Sequence, residues 1–167
     1  MEQPLQSGRS WDELRAGFRW ALPARLNIAD RLSARWARED PERLALIHLH
    51  PDGRVEQWRH ADLDRAACRL ANVLAAKGIG RGDRVGVLLP QAPETLLTHL
   101  AVYRLGAVVV PLFTLFGADG LAFRLVDSGA AALVTDRANL PKLHGIRDDL
   151  ADLRLILCTD GQAEGAD

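Results

Sequence analysis

The sequence predicts an α/β protein whose largely parallel sheet is flanked by helices on both faces. Short continuous apolar runs rich in β-branched residues recur along the chain, and such runs are typical of strands buried on both faces. Amphipathic segments of helical length separate these runs. Because strands and helices alternate, the strands need crossover connections, which run parallel strands side by side. An N-terminal helical segment and a β-hairpin are predicted to precede this unit.

Composition and charge limit the classes of function. The chain has 167 residues, 48% of them hydrophobic and 26% charged, which suits one globular domain with a sizeable core. The 21 basic and 22 acidic residues nearly cancel, so no basic surface for nucleic acid is expected. We find no apolar run of membrane-spanning length and no secretory signal, and therefore expect no membrane span and a cytoplasmic location.

The first forty residues are predicted to be helical, apart from a flexible N-terminus at residues 1–10. Apolar residues recur at helical spacing from Trp11 to Phe18, and Pro23 interrupts the pattern. A second helical stretch begins at about Asn27 and ends before Asp40-Pro41. These helices are expected to lie against the domain and not to form its core.

A β-hairpin is predicted from Arg43 to Trp58, with its turn at Pro51-Asp52-Gly53. His48 and His50 lie on the same face of the first strand, as two metal ligands would. No third ligand is evident at ligand spacing, and zinc sites use three or four. We therefore interpret the two histidines as solvated residues of an edge strand and expect no metal site.

The α/β unit proper begins with a helix from His60 to Lys77, followed by Gly78 where a C-terminal capping glycine belongs. The later predicted elements, in chain order, are strand Arg84–Leu89, helix Pro93–Leu105, strand Ala107–Leu112, helix Asp119–Asp127, strand Ala131–Thr135, a short helix Leu143–Leu150 and strand Leu153–Cys158. Residues 11–159 thus form one unit, and residues 160–167 are predicted to be a flexible, polar end.

Residues that often carry chemistry do not form a catalytic set here. Gly78, Gly80 and Gly82 follow a helix and precede a strand, which is the reverse of a phosphate-binding glycine loop. Cys68 and Cys158 lie too far apart in sequence for a CxxC metal or redox pair. We therefore expect the glycines to form a structural turn and the cysteines to be small core residues.

The loop after the predicted strand Ala107–Leu112 is the main candidate for a binding site. It carries several large apolar residues between Pro111 and Gly120, at the end of a parallel strand where α/β sheets place their ligands. The same residues would also suit packing under a neighbouring domain. Both interpretations stay open on the residues alone.

Several segments resemble the N-terminal region of the AMP-forming acyl-CoA synthetases, in the adenylate-forming ligase superfamily. The segments that carry the resemblance are Trp58–Arg65, Gly78–Pro90, Pro93–Leu112 and Arg124–Asp136. Three more segments are similar to the acetyl-CoA and medium-chain acyl-CoA synthetase branch: Phe18–Trp20, Leu26–Asp30 and Leu112–Gly117. The resemblance covers residues 11–160 and implies a partial N-terminal domain of the adenylate-forming ligase fold.

The resemblance also implies a reaction. In that family a carboxylic acid reacts with ATP and Mg²⁺ to give an acyl-adenylate and pyrophosphate, and the acyl group then passes to CoA with release of AMP. The family's Pro-Lys-Gly phosphate loop, its acidic residue for Mg²⁺ and ribose, and its catalytic lysine are absent from these 167 residues. We therefore expect a truncated fragment with no catalytic residue, no metal site and no cofactor of its own, inactive alone.

Five residues are candidates for contact with CoA through the resemblance. Thr114, Leu115 and Phe116 match a stretch that borders the CoA channel in related synthetases. Arg137 and Lys142 follow the strand after which acetyl-CoA synthetases carry arginines for the CoA phosphates. The two cations here do not match that arginine spacing, so a solvated surface role is the alternative for both.

Two other functions compete with the fragment interpretation. One is a non-catalytic module that pairs with a separate chain carrying the catalytic motifs, and the other is a stand-alone CoA- or nucleotide-binding domain. Both the fragment and the module would expose surfaces meant for a missing part, so self-association is expected.

Overall fold

The computed structural model describes residues 10–20 and 23–167, so most of the N-terminus predicted to be flexible lies outside the described residues. The helices are α1 (Trp11–Gly17), α2 (Arg35–Glu39), α3 (His60–Ala76), α4 (Pro93–Arg104) and α5 (Ala118–Ser128). The strands are β1 (Leu44–Leu49), β2 (Val55–Arg59), β3 (Arg84–Leu88), β4 (Val108–Pro111), β5 (Ala132–Thr135) and β6 (Leu155–Cys158). A π-helical turn (Asp30–Ala34) precedes α2, and two 3₁₀ helices (Leu140–Leu143, Arg147–Asp149) precede β6.

The predicted α/β class is confirmed. Four parallel strands form one sheet in the order β4-β3-β5-β6, and β1 and β2 form a separate antiparallel pair. Along β3 and β5, alternate side chains point to opposite faces of the sheet. Both strands are buried on both of these faces. This explains why their sequences are continuously apolar.

Helices α3 and α4 cover one face of the sheet. Leu74 of α3 and Ala101 of α4 belong to the same buried cluster as Val85 of β3 and Val134 of β5. The amphipathic pattern that predicts α3 therefore identifies the side that faces the sheet. Its first turn follows Arg59, whose side chain makes no capping hydrogen bond.

Helix α5 and the two 3₁₀ helices cover the opposite face. Leu121 and Leu125 of α5 pack in a cluster with Leu88 and Leu133 of the sheet. At Gly86 the approach is very close, since a Cβ atom built there would lie 2.8 Å from Leu133 Cδ1 and 3.1 Å from Leu125 Cδ2. The sheet needs a glycine at this point.

The predicted short helix over Leu143–Leu150 is replaced by two 3₁₀ helices that begin earlier, at Leu140. Leu140, Leu143 and Ile146 are buried and recur every three residues, which matches the three residues per turn of a 3₁₀ helix. Pro141 cannot donate a backbone hydrogen bond, and Gly145 weakens a helix interior.

The two edges of the parallel sheet differ from a bare strand. At the β6 edge, Ile156 N donates to Asp167 Oδ2 at 2.8 Å, and Asp167 N donates to Ile156 O at 2.8 Å. At the β4 edge, Pro111 has no N–H to offer. Asp167 thus takes the place of part of a neighbouring strand on one edge, and Pro111 removes a donor from the other.

The N-terminal helices and the hairpin form a thinner layer beside α3 and α4. Ala29 joins a small buried cluster with Leu63 and Ala67 of α3 and Leu100 of α4. Helix α1 has no buried residue. Within residues 10–20 and 23–167, no helix combines the length and the apolar character needed to cross a membrane.

One face of the hairpin is apolar and exposed. It comprises Leu44, Ile47, Leu49 and Val55, each 44–67% accessible; we call it the hairpin's outer face. The opposite, inner face carries His48, His50, Glu56 and Trp58, and these side chains are half-buried. The hairpin therefore presents its apolar side to solvent in this chain.

Candidate functional site

The carboxyl ends of the parallel strands are the first place to look for a site. After β3 the chain turns to the face covered by α4, whereas after β5 it turns to the opposite face. Ligand crevices in α/β sheets lie at such a switch point. Thr135 Oγ1 donates to Leu88 O at 3.0 Å and is buried, so the two strand ends are held together there.

In the loop after β4, one predicted contact residue, Leu115, is exposed to solvent, whereas another, Phe116, is held by its neighbours. Leu115 is 93% exposed. Phe116 is half-buried, with the Phe113 ring edge-on at 5.6 Å and the Arg124 guanidinium 4.0 Å above its own ring. The stacked Phe116 therefore anchors a loop that presents Leu115 outward.

Lys142 joins this loop to the loop after β5. Its Nζ donates to Thr114 O and, at 2.7 Å, to Asn139 Oδ1. Asn139 is buried and donates from its backbone and side chain to Asp136 Oδ1, at 2.9 and 2.7 Å. The structure thus brings together Thr114 and Lys142, which are 28 residues apart in sequence.

Arg137 lies in a different local setting. Its backbone N donates to Asp160 Oδ2 at 2.8 Å, and its guanidinium donates to Gln162 O at 2.9 Å. Both partners belong to the C-terminal segment and not to the loop after β4. Of the five predicted CoA contacts, Arg137 is therefore the one turned toward residues 160–162.

The donors at this edge fit an anion only modestly. A lysine ammonium has three N–H donors, and two of those of Lys142 are used within the described part of the chain, which leaves one for a ligand. Among the described residues, the one group of three potential metal-ligating side chains lies elsewhere, on the hairpin. At the edge of the sheet, the remaining Lys142 donor could contact one anionic group of a ligand.

The hairpin group adds a potential third ligand, Glu56, to the two histidines that the sequence shows. His48, His50 and Glu56 have potential ligand atoms that all lie within 4.8 Å of one another. Glu56 was missed because it belongs to the other strand, where the antiparallel register places it opposite His48. Sequence spacing alone does not reveal that register.

Two open clefts flank α4. A cleft of about 260 Å³ runs between α3, α4 and the end of β6, and its lining includes Leu70, Leu97 and Cys158. A second of about 390 Å³ lies between the hairpin and the start of α4, lined in part by His48 and His99. Burial lowers the pKa of His99 below its ordinary value of 6.5, so the neutral imidazole is favoured there.

Comparison with known proteins shows extensive similarity to one group of enzymes. Residues 33–167 match the family described as AMP-binding enzyme. The chain is 39% identical over 117 residues to acetyl-coenzyme A synthetase of Cryptosporidium parvum, covering 70% of this chain and 17% of that protein. It is 38% identical over 130 residues to acetyl-coenzyme A synthetase of Burkholderia thailandensis, covering 77% of this chain and 20% of that protein.

Solved structures agree with this similarity. The crystal structure of Brucella canis acyl-CoA synthetase matches with a TM-score of 0.79 and 30% identity, over 93% of this chain and 30% of that one. A Mycobacterium tuberculosis fatty acyl CoA synthetase matches with a TM-score of 0.72 and 29% identity, over 80% of this chain and 26% of that one. The chain thus spans about a fifth of the length of the curated relatives.

Proposed function

The chain belongs to the AMP-binding enzyme family, and from this premise we propose that it is the N-terminal part of an AMP-forming acyl-CoA synthetase. The complete enzyme would convert a carboxylic acid, ATP and CoA to acyl-CoA, AMP and pyrophosphate, with Mg²⁺ bound by residues outside this chain. The 167 residues would supply part of the sheet and one wall of the CoA and acyl channel. On their own they would have no ligase activity.

The joined loops at the carboxyl edge of the sheet carry this proposal. Leu115 projects from a loop that Lys142 fastens to the next strand connection through Thr114 O. A fixed loop with an outward apolar residue suits the wall of a channel, because ligand channels are lined mostly by apolar side chains. Thr114, Leu115, Phe116 and Lys142 would contact CoA there, and Arg137 would lie at the margin.

Release of AMP from ATP tests the proposal directly. The purified 167-residue chain, incubated with acetate or a medium-chain acid, ATP, Mg²⁺ and CoA, is expected to give no AMP above the level without enzyme. An intact acetyl-coenzyme A synthetase in the same assay shows that the conditions support turnover. Acid- and CoA-dependent AMP formation by the 167-residue chain would overturn the proposed inactivity.

The hairpin's outer face favours a second candidate, a non-catalytic module that pairs with a separate chain. Four large apolar side chains exposed on one face, Leu44, Ile47, Leu49 and Val55, are typical of a surface that another protein covers. Light scattering after size-exclusion chromatography tests this. A monomer at all concentrations would argue against the module. Self-association that Ile47→Ser abolishes would support the hairpin's outer face as the contact surface.

The exposed Leu115 beside the one remaining Lys142 donor favours testing a third candidate, a stand-alone CoA-binding domain. Calorimetric titration with CoA should show binding that Lys142→Ala weakens and that Lys77→Ala, a change at the other lysine of the chain, leaves unaltered. No heat at millimolar CoA would remove this candidate and leave the synthetase-fragment proposal untouched.

A further inference from the structure

We propose that His48, His50 and Glu56 form a binding site for a divalent transition metal ion, Zn²⁺ in the first instance, on the inner face of the hairpin. The three side chains come from both strands, so one ion would tie β1 to β2. His48 borders the cleft between the hairpin and the start of α4, and none of the five residues proposed to contact CoA belongs to the site. It is independent of the synthetase reaction and of the CoA contacts proposed above.

Strand geometry assembles the three ligands. His48 and His50 are two residues apart on β1 and therefore point to the same side. In the β1–β2 register His48 stands opposite Glu56, and directly opposite residues of an antiparallel pair have their Cβ atoms about 4.5–5.5 Å apart. Neither a loop movement nor a partner chain is needed to bring the three side chains together.

The distances between donor atoms are close to those of a metal centre. Glu56 Oε2 lies 3.0 Å from His50 Nε2 and 3.9 Å from His48 Nδ1. In a tetrahedral site with zinc bonds of about 2.0–2.1 Å, neighbouring ligand atoms are about 3.3 Å apart. The ligand atoms of all three side chains lie within 4.8 Å of one another, so side-chain rotations that draw them closer would place them around one ion.

One donor atom in the group is left without a partner. His48 Nδ1 is inaccessible to solvent and has no hydrogen bond from the described residues. A buried polar atom without a partner costs free energy, and a metal ion coordinated at this nitrogen would remove that cost. The two imidazole rings lie 4.2 Å apart, so an ion beside one ring is within reach of the other.

The chemistry of the donors selects the class of ion. Imidazole nitrogens prefer zinc, copper, iron and nickel over calcium and magnesium. Two histidines and one glutamate are also the ligand set of one class of zinc sites, in which a fourth position stays open to water. The Glu56 side chain is 34% exposed, which leaves room for that water.

The neighbouring Arg54 side chain opposes metal binding at this site. Arg54 donates to His50 Nδ1 at 3.0 Å and lies 3.9 Å from Glu56 Oε2. When Nε2 binds a metal, Nδ1 carries the proton, so Arg54, which is exposed, must swing away.

Titration of the tag-free 167-residue chain with Zn²⁺, in competition with a chromophoric chelator, tests the site. We expect one equivalent to bind and the melting temperature to rise with Zn²⁺ concentration. Titration with Co²⁺ should give the visible absorption of a low-symmetry, four- or five-coordinate ion. Failure of the chain to bind one equivalent in competition with the chelator would overturn the proposal.

Matched variants locate the ion. His50→Gln and Glu56→Gln should each weaken Zn²⁺ binding by more than about 100-fold, since outer-shell changes alone cost about 10–100-fold. His144→Gln, a change at an exposed histidine elsewhere, should bind as the unaltered chain does, and Arg54→Ala should bind more tightly. Circular dichroism of the metal-free variants checks that they fold. Unchanged affinity in folded His50→Gln and Glu56→Gln would place the ion elsewhere and refute the site.

Discussion

The parallel sheet and the hairpin contain similar apolar residues but place them in opposite surroundings. Leu133 of β5 is 0% exposed, with packed side chains on both faces of its strand, whereas Leu49 of β1 is 67% exposed. The difference arises because helices cover both faces of the sheet but neither α1 nor α2 covers the hairpin's outer face. Residues 60–158 thus bury β3 and β5 by themselves, while none of the described residues, 10–20 and 23–167, covers the outer face of the hairpin.

Truncation of a leucine in each region should show the largest difference. Leu133→Ala removes a fully buried side chain in the middle of the sheet and should lower the free energy of unfolding by about 2–5 kcal/mol. Leu49→Ala should change it by less than about 0.5 kcal/mol, because the side chain is already in water. Urea unfolding followed by circular dichroism measures both, and equal losses would contradict the contrast.

A methyl group added at a glycine tests how tightly the sheet is packed. Gly86→Ala would bring a Cβ atom to 2.8 Å from Leu133 Cδ1, and such overpacking should cost about 1–3 kcal/mol. Gly80→Ala is the matched control, since a Cβ there has no neighbour within 4 Å. The control should be neutral or stabilise slightly. A neutral Gly86→Ala variant would mean that the three layers are looser than described.

Removal of a single buried hydroxyl should lower the free energy of unfolding by a smaller amount. Thr135→Val keeps the shape of the side chain but removes the hydrogen bond to Leu88 O, and should cost about 1 kcal/mol. Arg65→Ala breaks the exposed pair with Asp62 and should cost less than about 0.5 kcal/mol. Thermal melts at one pH compare the two variants. A larger loss for Arg65→Ala would reverse the expected order.

Acidification should have the smallest effect and should act on the hairpin side. Burial lowers the pKa of His99, and burial together with the Arg43 charge lowers that of His60. Below about pH 6.5 these two histidines bind protons more readily in the unfolded chain than in the folded chain. The stability that they contribute is therefore complete above this pH and is lost as the pH falls through their folded-state pKa values.

The His99→Asn variant separates this contribution. Its stability should fall less steeply between pH 7 and pH 5 than that of the unaltered chain, as measured by urea unfolding at several pH values. His144→Asn, at an exposed histidine, controls for removal of an imidazole. An unaltered pH dependence in His99→Asn would exclude His99 as a source of the effect.

Most of the fold could be predicted because local patterns and tertiary packing agree in it. The continuous apolar runs of β3 and β5 and the apolar stripe of α3 each indicate which surface is buried. Prediction was poorer where a local pattern has two solutions. The segment Leu140–Leu150 has helical composition, but its three-residue apolar spacing and Pro141 favour 3₁₀ geometry.

The resemblance to acyl-CoA synthetases, confirmed by the family match and the structural neighbours, could also be identified from the sequence. The side-chain contacts of the loops and of the hairpin could not be predicted in this way. Lys142 reaches Thr114 across a crossover connection, and Glu56 reaches His48 through strand register. Both contacts depend on three-dimensional placement, which spacing along the chain does not encode. The individual CoA contacts remain predictions.

The residues on the two sheet edges bear on how this chain would behave when concentrated. A strand edge with free N–H and C=O groups is a template on which other molecules add in register and grow into fibres. Asp167 occupies both backbone groups of Ile156 on one edge, and Pro111 interrupts the donor row on the other. Growth by edge pairing is therefore blocked at those two positions. Ordered growth would have to begin elsewhere, and the two-stranded hairpin with its exposed apolar face offers such a place.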